Sequence, residues 1–135
     1  MKNLHCYFDG GFKKTKGYFS IAVYEIDSDN LKHQVHKETK VNSVPINSGN
    51  QAEYQGLIFT LEHLLEKEYT DYNIIIYSDS KLVCGQLTGK FNVYSDNIKF
   101  LYERAFTLLE EVSDNENTIK LEWVPRQVML DLFGH

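Results

Sequence analysis

Three acidic residues, Asp9 in YFDGG, Glu53 in NQAEYQGL and Asp79 in IIIYSDSKLVCGQL, each stand where one predicted element ends or begins. Their segments read as strand, helix and strand-to-helix junction, an arrangement that could gather three carboxylates at one edge of a sheet. Converging carboxylates repel one another and favour a divalent cation, and an all-oxygen ligand set suits Mg²⁺ or Mn²⁺. Two such ions, roughly 3.5–4 Å apart, support in-line attack on a phosphodiester.

Each acid also has a simpler explanation. Asp9 precedes Gly10 and Gly11, which fits an Asp-Gly turn ending a strand. The same glycines would also let a backbone approach a ligand closely. Glu53 follows Asn50 by three positions, as in a capping box with Asn50 at the N-cap. Asp79, between Ser78 and Ser80, fits a helix N-cap, yet the carboxyl end of a central strand is where open α/β sheets bind ligands.

The elements that must position these residues follow from patterning. Leu4 to Phe8 reads as a strand stopped by Asp9-Gly10-Gly11, with Lys13, Lys14 and Lys16 in the loop beyond it. Gly17 to Ile26 and Leu31 to Val41 read as two more strands, separated by a turn cluster at Asp27 to Asn30. Asn42 to Gly49 is a loop containing Pro45. A helix from about Gln51 to Glu68 carries an apolar stripe of Tyr54, Leu57, Ile58, Leu61, Leu64 and Leu65. The apolar run Asn73 to Tyr77 reads as a central strand buried on both faces. A short helix at Ser80 to Leu87, a loop at Gly89 to Asp96 and a longer helix at Asn97 to Val112 follow. Thr118 to Val124 is a last strand, and the tail from Pro125 holds one or two helical turns. The order β-β-β-α-β-α-α-β-α implies an α/β fold: a mixed five-stranded sheet, three antiparallel strands then parallel additions, flanked by helices.

Bulk properties set the frame. A chain of 135 residues with 42% hydrophobic and 24% charged content suits a single globular domain over residues 1–135. The expected setting is the cytoplasm, because the start MKNLHCYFDGG lacks the apolar segment of a signal peptide and no apolar run is long enough for a membrane. Cys6 and Cys84 read as buried free thiols. A net charge of −5 argues against binding nucleic acid by charge alone, though not against a nuclease whose acids gather around metal.

Taken together, YFDGG, NQAEYQGL and YSDSKLVCGQLTGKF resemble the first three acidic motifs of the ribonuclease H family, and EWVPR resembles the strand before that family's last helix. The resemblance covers nearly the whole chain. It implies a ribonuclease H-like fold and a metal-dependent endonuclease, expected to be a monomer, that cleaves the RNA strand of RNA–DNA hybrids with two Mg²⁺ or Mn²⁺ ions. Asp9, Glu53 and Asp79 would be the metal ligands. Asn50 and Gln51 would lie near the hybrid's minor groove, with Gly10, Gly11, Ser80 and Gln86 as further substrate contacts. Arg126 would contact the scissile region, or else cap the tail helix from the surface. Two departures stand out. The segment Gly89 to Asp96 is too short for the basic extension of some members. The tail VPRQVMLDLFGH lacks the family's fourth acid, and Asp131 falls about two residues short of its position. Asp131, after a shift of the helix start, or His135 would complete the site, with Mn²⁺ then favoured over Mg²⁺. The rival readings are another nuclease on the same fold, a resolvase or exonuclease, and a non-catalytic domain that binds nucleic acid or protein.

Overall fold

The computed structural model describes residues 1–13, 16–41 and 49–134. Strand β1 (Lys2–Lys13) pairs antiparallel with β2 (Lys16–Ile26), and β2 pairs antiparallel with β3 (Lys32–Val41). On the other side of β1, β4 (Tyr72–Ser78) adds in parallel, and β5 (Thr118–Trp123) adds parallel to β4. The sheet order is therefore β3-β2-β1-β4-β5. Helix α1 (Gly49–Glu66) connects β3 to β4, α2 (Lys81–Leu87) and α3 (Asp96–Asp114) connect β4 to β5, and α4 (Arg126–Phe133) follows β5. Three antiparallel strands followed by two parallel additions is the architecture expected from the sequence.

Alternation in β1 decides which face is buried. Leu4, Cys6 and Phe8 point to one side, level with Val23 and Ile21 of β2 and with Ile74 and Ile76 of β4. The stripes of α1 (Tyr54, Leu57, Leu61, Leu64) and α3 (Leu101, Ala105, Leu108) cover them. Burying each such side chain contributes about 1.5–3 kcal/mol. Cys6 and Cys84 are buried free thiols in this packing.

Two expectations change. β4 is not buried on both faces: Ile74 and Ile76 are, whereas Ile75 and Tyr77 are only partly covered. On that second face aromatic rings shield one another, with Tyr7 stacked on Tyr77 at 4.8 Å between centroids. Strand β1 also does not stop at Phe8. It continues through Asp9, Gly10 and Gly11 to Lys13, pairing Asp9 with Ser20 and Gly10 with Phe19. Neither glycine has a positive φ, so no Asp-Gly turn forms. Gly10 is glycine because α1 crosses β1 there: a Cβ at Gly10 would lie 2.4 Å from the Ala52 backbone. The expected loop at Asn42 to Gly49 falls at 42–48 outside the described residues, as does Lys14.

Candidate active site

The close approach of α1 to β1 sets the first side chain. Glu53 sits one turn into α1, directly above Gly10, and its Oε1 accepts a hydrogen bond from the Gly10 amide at 2.9 Å. The capping-box explanation does not describe it, because α1 begins at Gly49 and places Asn50 inside the helix. Asp9 follows the last core residue of β1 and shares the second face with Tyr7. Asp79 follows the carboxyl end of β4. It is not the N-cap of α2: Ser80 is, its Oγ accepting from the Val83 amide at 3.1 Å. The indole of Trp123 donates to the Asp79 carbonyl at 3.1 Å and fixes that junction from β5.

Three elements thus bring together the three acids that the sequence singled out. Asp9, Glu53 and Asp79 each offer a carboxylate oxygen, and these oxygens lie within 4.8 Å of one another. Asp9 is 1% exposed and Glu53 8%. Burial, chiefly, raises the pKa of both carboxyls. Neighbouring negative charge adds to the effect, and Glu53 is pushed up to about 9 despite its bond from Gly10.

Arg126 counters this charge. Its Nη1 donates to Asp9 Oδ2 at 2.8 Å and to Asp79 Oδ2 at 2.9 Å. Those bonds raise the guanidinium's own pKa, so it stays charged. Arg126 is the first residue of α4, behind Pro125, and half of its side chain is exposed. Sequence reasoning named Arg126 but missed its bond to the carboxylates. The signal was the parallel pairing of β4 with β5, which sets the residues after Trp123 beside Asp79.

Two oxygens in the cluster, Asp9 Oδ1 and Glu53 Oε2, are buried and receive no hydrogen bond from an amide, hydroxyl or guanidinium; with no metal bound, the two carboxyls share a proton. Buried carboxylate oxygens rarely stay unpaired. An all-oxygen set of three carboxylates with two such atoms fits a hard divalent cation.

Of the other candidates, Asn50 and Gln86 line one cavity, and Asp131 lines another. Asn50 is exposed at the start of α1, beside a cavity of about 520 Å³ lined also by Lys90, Phe91 and Tyr94. Gln51, next to it, is partly buried. Gln86 is 5% exposed and its amide is engaged within the fold, accepting from Tyr54 at 2.5 Å and donating to the Asn92 carbonyl at 3.2 Å. Gly10 accommodates α1 and Gly11 the ring of Tyr18, so the close approach at both glycines comes from this chain itself. Asp131 is not in the acidic cluster. It accepts from Gln127 at 2.7 Å and lines a separate cavity of about 350 Å³ with Tyr7, Tyr24 and Lys32. The buried residue of α4 is Met129, with Val128, Leu132 and Phe133 only partly covered. His135 lies outside the described residues.

Comparison with known proteins adds an independent line. A family model described as reverse transcriptase-like matches residues 7–129. The bifunctional protein Rv2228c of Mycobacterium tuberculosis is 34% identical over 79 residues, 58% of this chain and 20% of that protein. An uncharacterised Mycobacterium bovis protein, Mb2253c, matches equally. The match thus spans about a fifth of the length of these curated relatives. Among solved structures, RNase H1 of the halophilic archaeon Halobacterium salinarum superposes with a TM-score of 0.71 at 26% identity, covering 93% of this chain and 88% of that one. The N-terminal RNase H domain of Rv2228c, solved as a fusion with maltose binding protein, gives 0.74 at 24% identity, covering 94% and 85%. LC11-RNase H1 in complex with an RNA/DNA hybrid gives 0.73 at 23%, covering 93% and 87%.

Proposed function

The chain belongs to the reverse transcriptase-like family, and from that premise we propose that it is a metal-dependent endonuclease that hydrolyses the RNA strand of RNA–DNA hybrids. The observation that carries the proposal is the convergence of Asp9, Glu53 and Asp79 with two unpartnered buried oxygens. That a similar fold is known in complex with an RNA/DNA hybrid supports the substrate class.

Asp9, Glu53 and Asp79 would hold the metal, Mg²⁺ or Mn²⁺. When bound, the metal supplies an activated water and stabilises charge on the attacked phosphate and the leaving 3′ oxygen. The chain's own contribution is preorganisation. The Gly10 amide holds one Glu53 oxygen, leaving the other for the ligand. Trp123 and the Ser80 cap fix the backbone on either side of the Asp79 junction. Asn50, exposed at the start of α1, and Gln51 beside it would read 2′-hydroxyls along the minor groove, which separates RNA from DNA. The products would carry 5′-phosphate and 3′-hydroxyl ends. The same proposal has one domain acting as a monomer in the cytoplasm. No described helix is long and apolar enough to cross a membrane.

A second reading is a domain that binds nucleic acid or protein without cleaving. One observation favours it: a guanidinium already occupies Asp9 and Asp79, with Asp131 outside the cluster. Incubating the protein with labelled RNA–DNA hybrid, double-stranded RNA and DNA, each with Mg²⁺, Mn²⁺ or EDTA, separates the two. The nuclease proposal expects cleavage of the hybrid's RNA strand with metal and none with EDTA. Binding of hybrid with no cleavage under any ion supports the second reading.

A further inference from the structure

We infer that Arg126 is a built-in counter-cation that takes the place of a second metal, so that the carboxylate cluster loads one divalent ion per chain. The inference rests on the metal reading above and refines its stoichiometry against the pair of ions expected from the sequence resemblance.

The geometry divides Asp9 between two kinds of partner. Its Oδ2 accepts from Arg126 Nη1 at 2.8 Å, while its Oδ1 is buried and unpartnered, as is Glu53 Oε2. The same Nη1 reaches Asp79 Oδ2 at 2.9 Å. One positive group therefore already links Asp9 to Asp79. The two buried oxygens left for a ligand belong to Asp9 and Glu53, and Asp79 keeps its second oxygen beside them. Asp9 thus spans a guanidinium on one oxygen and an open position on the other.

Charge points the same way. With a metal bound and all three carboxyls ionised, the cluster carries three negative charges, which one guanidinium and one divalent ion neutralise. A second divalent ion beside Arg126 would leave the cluster with two positive charges, next to groups as buried as Asp9 and Glu53. An arginine cannot relieve this by losing its proton. No fourth acid joins the cluster among the described residues to offset it.

The arginine is also anchored. The Val124 amide bonds to the Ser78 carbonyl at 2.8 Å, extending the β4–β5 pairing past Trp123, and Pro125 (φ −62°) leads directly into α4. The guanidinium is thus delivered to the carboxylates by the sheet itself.

The test is to titrate the full chain with Mn²⁺ and count free ion by electron paramagnetic resonance. Melting in EDTA checks that each variant folds. Wild type is expected to bind one ion. Arg126→Met is expected to bind a second, and to hold the first about tenfold tighter or more once the neighbouring positive charge is gone. Arg126→Lys, which keeps the charge, is expected to return to one. Two ions on wild type, or one on wild type and Arg126→Met alike, would overturn the inference while leaving the metal reading intact. No ion on any form would overturn the metal reading and the inference with it.

Discussion

The Gly10 amide and the Glu53 carboxylate meet at 2.9 Å across 43 residues of sequence. The bond exists because α1 rests on β1 where there is no side chain. Gly10→Ala sets a Cβ 2.4 Å from the Ala52 backbone, which cannot yield as a flexible side chain would. We expect a loss of about 1–3 kcal/mol in denaturant unfolding, because the helix must shift to admit the methyl group. Gly49→Ala is the control. A Cβ there meets nothing within 4 Å, so its stability should match or slightly exceed wild type. An unchanged melting point for Gly10→Ala would contradict this packing.

Glu53 makes the metal-free fold sensitive to pH. Its pKa rises from the ordinary 4.5 to about 9, mainly through burial. Between those values the unfolded chain is ionised at this position while the folded chain keeps the proton. The folded state binds more protons, so the contribution to stability is full below 4.5, falls as pH rises, and is lost above about 9. In EDTA, Glu53→Gln should flatten this fall and leave the protein at least as stable as wild type near pH 8. The same variant should lose hybrid cleavage by roughly a hundredfold or more. An unchanged pH profile together with normal cleavage would return Glu53 to a purely structural role.

The fold was legible because its signals are periodic. The stripe in α1, the alternation in β1 and the turn at Asp27 to Asn30 each point to one element, and the order of elements limits the topology. The site was legible as three motifs. What the sequence obscured were contacts made between distant segments. Gly10 read as a turn residue because local sequence cannot show that a helix crosses there. Ile75 and Tyr77 read as fully buried because composition cannot show that their face of the sheet is only partly covered. Arg126 read as a surface or substrate-facing residue because its partners, Asp9 and Asp79, are 117 and 47 residues away.

Gln86 separates structural from substrate roles. Its amide joins Tyr54 of α1 to the Asn92 carbonyl beyond α2, in a buried setting. Gln86→Leu should cost about 1–3 kcal/mol through the unsatisfied Tyr54 hydroxyl and Asn92 carbonyl. With folding maintained, the KM for hybrid should stay within about twofold of wild type, since a buried amide contributes little uniform binding. A large rise in KM with normal stability would restore the substrate contact expected from the sequence.

Asp131 tests the tail. It lies outside the cluster and bonds to Gln127 one turn earlier on α4. Asp131→Asn should therefore cost only about 0.2–0.5 kcal/mol, the worth of an exposed helical pair, and leave cleavage nearly unchanged. Loss of activity in this variant with either Mg²⁺ or Mn²⁺ would make Asp131 the fourth ligand and place α4 differently during the reaction.

The central claim, that the carboxylate cluster is the metal-dependent catalytic site, is tested most directly by one comparison. The cleavage rate of a labelled RNA–DNA hybrid is measured for wild type and Asp9→Asn at saturating Mn²⁺, with melting in EDTA recorded for both. Asp9 bonds to Arg126 and has a carboxylate oxygen within 4.8 Å of one from Glu53. Removing its charge should abolish cleavage, by roughly a hundredfold or more. The fold should survive, because like charges in one buried site oppose each other. Equal cleavage by both proteins, or none by a correctly folded wild type, would contradict the account.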